Sequence, residues 1–356
     1  MAGAREDRVA LAVVALREFM DQNLAASKIE LEAKLIESHF DNVPFEPAHL
    51  QDARNVLLAS EELIIERRET RGGSRPPILV TTDQRRRARR VENASARKRL
   101  LMSRYYSYVQ GGQTGSQSLT GDAGELAFHA AFLRASVGPT LATLTRGVPS
   151  VQQILGMQVD LDNAFVLTPL DKITHAPVPP YGIQVLVEVK NLREWIYPRT
   201  QELYQVLDKA ARLQAAHPTA SFLPVLVCRR VQQTTLFMAA ELGFFVIDAR
   251  RHYFPQHAHI DPEALRELST ELGLADITQE NGSEQTRRIE QKLVTLQRYV
   301  DLERAIERWK THAGHPDFRE LVHTLNDDEL PNTERDRTLN KLRALATNEF
   351  GLRGGW

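Results

Sequence analysis

Residues 183–191 read IQVLVEVKN. A run of Ile, Val and Leu this dense reads as a strand buried on both faces. It nevertheless ends in a carboxylate and an ammonium two residues apart, and period two puts Glu188 and Lys190 on one face of it. Charges at the end of such a strand need neighbours that make use of them.

The flanking segments supply those neighbours. Upstream, GDAGELAFHAAFLRAS (residues 121–136) has helical character and carries Glu125, and QVDLDNAFVLTPL (158–170) reads as a strand with Asp160 and Asp162 on one face. Downstream come a helix, RTQELYQVLDKAARLQAA (199–216), a strand, SFLPVLVCRR (221–230), a helix, QTTLFMAAELG (233–243), and a strand, FFVIDAR (244–250). This alternation implies an α/β domain, a mixed sheet flanked by helices. Neighbouring strands would bring Asp160, Asp162, Glu188 and Lys190 to one place, with Glu125 beside them. Converging carboxylates repel each other at neutral pH, and a hard divalent cation, Mg²⁺ or Mn²⁺, resolves that repulsion. An ammonium held there can orient a water nucleophile and stabilise charge growing on a phosphorus centre. Together these groups suit phosphodiester hydrolysis. An exposed ion pair at a strand end would account for Glu188 and Lys190 alone, but not for the acidic strand and helix.

On GELAFHAAF, VDLDNAFVL and VLVEVKN, residues 117 to 254 resemble the PD-(D/E)xK nuclease superfamily, to which restriction endonucleases and archaeal Holliday-junction resolvases belong. The resemblance implies a restriction-endonuclease-like core in which Asp162 and Glu188 bind the metal, Lys190 assists the water, and Glu125 is an accessory ligand. Asp160 is the alternative to Asp162, because both aspartates fit forms of the motif. The proline that often precedes the aspartate is absent.

The first 82 residues give three helices and a hairpin. SKIELEAKLIES (27–38) opens with a capping-box pattern, EPAHLQDARNVLLAS (46–60) has Pro47 in its first turn, and LIIERRET and PPILVTT are strands joined by RGGSR. That order is the order of a winged helix, whose wing arginines, Arg67, Arg68 and Arg71, suit phosphate contacts. Next, residues 85–104, RRRARRVENASARKRLLMSR, hold nine Lys or Arg against the single acid Glu92. The net charge of -1 therefore conceals a basic segment, and Arg85, Arg86, Arg87, Arg89 and Arg90 are candidate DNA contacts. A solvated linker helix is the plainer reading of the same charges.

The expected domains are a winged helix (1–82), a basic helix and flexible connector (83–116), a nuclease-like domain (117–261) and a helical C-terminal region (262–356). In the last, Ile289, Leu293, Leu296 and Val300 form a stripe at coiled-coil spacing, a candidate homodimer seam or the inner face of a helix packed on its own domain. Nothing long and apolar enough to span a bilayer occurs, so the expectation is a cytoplasmic protein without membrane contact. The single cysteine, Cys228, excludes disulfide and cysteine-zinc frameworks and lies in an apolar run that favours an inert core thiol. His252, His257 and His259 in RHYFPQHAH read as a surface loop, and the glycines of QGGQTGSQ lack the strand-to-helix setting of a phosphate loop.

The expectation is thus a metal-dependent DNA endonuclease. The winged helix plus nuclease order resembles Mrr-type restriction enzymes, which implies restriction or defence against foreign DNA, with a protein partner as part of such a system. Two rivals stand beside it: a catalytically silent nuclease fold serving as a DNA-binding or assembly module, and a winged-helix regulator whose middle domain processes RNA.

Overall fold

The computed structural model describes residues 2–39, 45–70, 73–74, 76–82, 88–109, 119–135, 141–143, 151–171, 173–174, 176–180, 182–255, 260–297 and 302–356. The chain divides into two compact units, residues 1–115 with 257–277, and 116–256 with 278–356. Arg71, Arg85, Arg86, Arg87, His257, His259 and Val300 lie outside the described residues. Among the described residues no helix is long and apolar enough to cross a membrane.

In the first unit, α1 (Ala2–Asn23), β1 (Ala25–Ala26), α2 (Lys28–Leu35), α3 (Pro47–Ala59) and β2 (Leu63–Glu66) come first. A small hairpin of β3 (Glu69–Thr70) and β4 (Gly73–Ser74) follows, then β5 (Ile78–Thr81) and α4 (Ala88–Val109). Strand β5 lies between β1 and β2 in an antiparallel sheet. Ser27 caps α2, its Oγ accepting from the Glu30 amide at 3.1 Å. Glu30 does not complete a capping box: its carboxylate is fully buried against Lys34 (2.8 Å) and Lys98 (2.5 Å).

Charge pairing also redraws the sequence-based domain limits. Arg97 pairs with Glu267 and Glu271, and Arg104 with Glu267, all on a helix at Pro262–Leu272, while Lys34 donates to the Glu271 carbonyl at 2.7 Å. Leu268 and Leu272 of that helix are buried. Residues 257–277 therefore belong to the first unit, not to the nuclease-like and C-terminal segments. Arg99 in turn pairs with Glu66. Four of the nine basic residues in 85–104 thus neutralise acids of their own unit. Among the described members of the candidate DNA set, Arg67, Arg68, Arg89 and Arg90 are exposed.

The second unit is mixed α/β. It contains α5 (Leu119–Ala135), β6 (Leu141–Thr143), β7 (Val151–Ile154), β8 (Met157–Leu161), β9 (Asn163–Leu167), β10 (Ile183–Lys190), α6 (Gln201–Ala216), β11 (Phe222–Cys228), α7 (Gln233–Leu242) and β12 (Phe245–Asp248). After α8, the Pro262–Leu272 helix of the first unit, come α9 (Ser283–Gln297), α10 (Leu302–Gly314), α11 (Pro316–Leu325) and α12 (Asn332–Asn348). The five-stranded sheet runs β12-β11-β10-β9-β6, with β10, β11 and β12 parallel and β9 antiparallel to both β10 and β6. Strand β10, which carries Glu188 and Lys190, is its centre.

Period two sorts β10 between two cores. Ile183, Val185, Val187 and Val189 pack with Phe128 and Phe132 of α5 and Ile289 and Leu293 of α9. Leu186 packs on the other face with Leu203 and Leu207 of α6. Glu188 and Lys190 share the parity of Leu186 and so point toward α6. Ile289, Leu293 and Leu296 are buried in their own unit's core. The stripe is therefore an intramolecular packing face, because a seam already filled by α5 and the sheet cannot seat a second copy. Cys228 is buried on β11, and burial pushes its thiol far up, which suits an inert core residue. His252 is buried against Phe254 (centroids 5.0 Å apart) and is not on a surface loop.

Candidate active site

A bend separates the two aspartates. Residues 158–167 are not one strand: among the described residues β8 pairs only with β7 in a separate hairpin, β9 enters the main sheet, and Asp162 lies at the bend between them. Asp160 and Asp162 consequently share no face. Asp160 is exposed on β8, whereas Asp162 is half-buried, its Oδ2 accepting from the Val189 amide at 2.6 Å. That bond seats Asp162 against the end of β10, between Glu188 and Lys190 in sequence.

Glu188 is 1% exposed. Its Oε2 accepts from Lys190 Nζ at 3.0 Å, and its Oε1 accepts from Lys209 Nζ on α6. Sequence reading overlooked Lys209, although a signal existed. It lies three residues after Val206 and four before Leu213, inside the buried stripe of α6, where an unpaired lysine would be costly.

Glu125 comes from α5, and a glycine makes its approach possible. A Cβ on Gly124 would lie 2.6 Å from Asn191 Cβ and 3.3 Å from Val189 Cγ1, so only glycine lets the start of α5 close on the end of β10. Asn191 is fixed from the other side. Its Nδ2 donates to the Tyr253 carbonyl at 2.6 Å and its Oδ1 accepts from the Tyr253 amide at 3.0 Å. One turn beyond Glu125, His129 Nδ1 lies 3.4 Å from Asn163 Nδ2, tying α5 to the residue after Asp162.

The electrostatics of the cluster are those of crowded acids. Burial, the nearby Asp162 and then Asp122 push the Glu125 carboxyl up to about 7. Burial and Glu188 push Asp162 up to about 6. Burial alone would lower Lys190, but the carboxylates around it, Glu188 foremost, outweigh that and hold its ammonium above the ordinary value. A buried carboxylate between two ammonium groups is not enough to mark a site, since Glu30 of the first unit has the same arrangement with Lys34 and Lys98. The difference is the excess of acid: around Glu188, two lysines meet three carboxylates.

That excess suits a cation. Among the described residues no three His, Cys, Asp or Glu side chains form a ready-made cage. Mg²⁺ does not require one, because it takes one or two carboxylates and completes its shell with water and phosphate oxygens. Asp162 and Glu188 would be the two carboxylates, and burial first, then the neighbouring acids, raises Asp162 and Glu125. No family model matches this chain, and no curated protein or solved structure does.

Proposed function

We propose that the protein is a divalent-metal-dependent endonuclease that hydrolyses phosphodiester bonds of DNA, on a core like that of the PD-(D/E)xK nucleases. The observation that carries this reading is the seating of Asp162 on the Val189 amide beside Glu188 and Lys190, with Glu125 brought in through Gly124. Asp162 and Glu188 would hold Mg²⁺ or Mn²⁺, with Glu125 an accessory ligand. A bound ion of this kind lowers the pKa of water and stabilises the oxygens of the reacting phosphate.

The chain's own groups divide the remaining work. Lys190, restrained by Glu188, presents an ammonium that orients the attacking water and stabilises charge accumulating on the phosphate oxygens. Glu188, pinned by Lys190 and Lys209, is fixed in place. The order of helices and hairpin in the first unit supports a winged-helix module there, with the exposed Arg67, Arg68, Arg89 and Arg90 meeting DNA phosphates. Winged helix followed by nuclease core supports restriction or defence against foreign DNA by analogy of fold.

One observation favours a second reading, a silent nuclease fold used as a binding module: both oxygens of Glu188 are taken by lysines. Incubating the protein with supercoiled plasmid, linear duplex, single strands and RNA, in Mg²⁺, Mn²⁺ or EDTA, separates the two. Metal-dependent cutting of DNA that is lost in Lys190→Ala and Asp162→Asn supports the enzyme. Binding without cutting in either metal supports the module, and equal cutting by Lys190→Ala removes the site assigned here.

A further inference from the structure

The hairpin that leads into Asp162 carries an anomaly at its tip. Strands β7 and β8 pair through Gln153 with Gln158 and Ile154 with Met157, which leaves a two-residue turn of Leu155 and Gly156. Leu155 has φ +49° and Gly156 φ +84°. Such turns require positive φ at both central residues and favour Asn-Gly, because a branched side chain is strained there. Leu155 is also 51% exposed. A lone exposed leucine is ordinary, but one held in the left-handed region at a hairpin tip loses backbone comfort without gaining burial.

The rest of the hairpin is built to hold that tip out. Ile154, Val159 and Leu161 are buried in the core that includes α6, while Gln153, Gln158 and Asp160 face solvent. The base of the ribbon is thus anchored beside Asp162, and its outer end offers one apolar side chain flanked by two glutamines. Apolar wedges that enter a base stack have this composition: an exposed aliphatic group that unstacks a step, with polar neighbours that hydrogen-bond base edges or sugars.

We infer that Leu155 is a wedge that inserts between base pairs of the DNA duplex cut at the Asp162–Glu188 site, with Gln153 and Gln158 hydrogen-bonding the flanking nucleotides. The inference rests on the nuclease reading given above. Leu155 lies seven positions before Asp162, so at about 3.3 Å per residue its backbone is at most roughly 23 Å from that of Asp162. At about 3.4 Å per base pair, the unstacked step falls within about seven pairs of the cut.

The test uses the full-length chain in EDTA and duplexes carrying 2-aminopurine singly at each position within seven pairs of the mapped cut. Binding of the wild type is expected to raise the fluorescence several-fold at one step. Leu155→Asn and Leu155→Gly remove that rise, whereas Leu155→Met retains it. Asn and Gly adopt positive φ with less strain than Leu, so the melting temperatures of both variants are expected to equal or exceed that of the wild type, which excludes misfolding as the cause. If the wild type binds and cuts duplex DNA but unstacks no step, or if Leu155→Asn unstacks as well as the wild type, the wedge is wrong and the nuclease reading stands. If the wild type neither binds nor cuts duplex DNA with Mg²⁺ or Mn²⁺, both fall together.

Discussion

Asp162→Asn is expected to make the metal-free protein more stable while abolishing its cleavage. The amide that replaces the carboxylate can still accept from the Val189 N–H through its carbonyl oxygen, so the geometry at the end of β10 is preserved and only the charge is removed. In the wild type, burial and then Glu188 raise Asp162 from 3.8 to about 6. The folded state therefore binds this proton more tightly than the unfolded chain. Its favourable contribution is full below pH ~4 and is lost as pH rises through about 6, leaving ionised Asp162 as a cost at pH 8. At about 1.4 kcal/mol for each tenfold difference in proton affinity, that cost is about 3 kcal/mol, and replacing one acid of an interacting cluster recovers roughly 1–3 kcal/mol of it. For a unit of this size the gain corresponds to a rise in Tm of about 2–10 °C. Urea and thermal denaturation of both proteins in EDTA, from pH 4.5 to 8.5, provide the measurement: the two curves should converge at the acid end and separate as pH rises. Adding Mg²⁺ should stabilise the wild type and leave the variant unchanged. A variant less stable than the wild type at pH 8, or a gap that does not widen between pH 5 and 7, would refute the account of Asp162 as a crowded metal-site acid.

Three further outcomes follow from the same geometry. Lys209→Met removes an ammonium from Glu188 Oε1, so Mn²⁺ affinity, read by electron paramagnetic resonance, should tighten by about tenfold, while stability in EDTA falls by about 1–3 kcal/mol and returns on adding Mn²⁺. Gly124→Ala places a methyl 2.6 Å from Asn191 Cβ, and the forced separation of α5 from β10 should cost about 1–3 kcal/mol in chemical denaturation and reduce cleavage by displacing Glu125. Replacing Arg67, Arg68, Arg89 and Arg90 together with alanine should weaken binding to all duplex sequences alike and make its salt dependence shallower, whereas Arg97→Ala should alter stability more than binding because Arg97 is already paired with Glu267 and Glu271.

The amino-acid order by itself determined a good deal. The alternation in IQVLVEVKN placed Glu188 and Lys190 on one face, and Pro47, Ser27 and the RGGSR turn marked helix starts and a hairpin, because these are local effects of backbone geometry and capping. The apolar run around Cys228 foretold a buried thiol for the same reason. Tertiary structure decided what local pattern leaves open. Asp160 and Asp162 are equivalent until a bend removes one from the sheet and the Val189 amide captures the other. Lys209 becomes part of the site only because α6 crosses the face of β10 that carries Glu188. Arg97, Lys98, Arg99 and Arg104 add to the basic character of residues 85–104 until acids distant in sequence neutralise them, and Ile289, Leu293 and Leu296 look like a seam until α5 fills it. Local spacing shows which way a side chain can point, but its charge and apolar surface acquire a role only from the groups that folding brings to meet them.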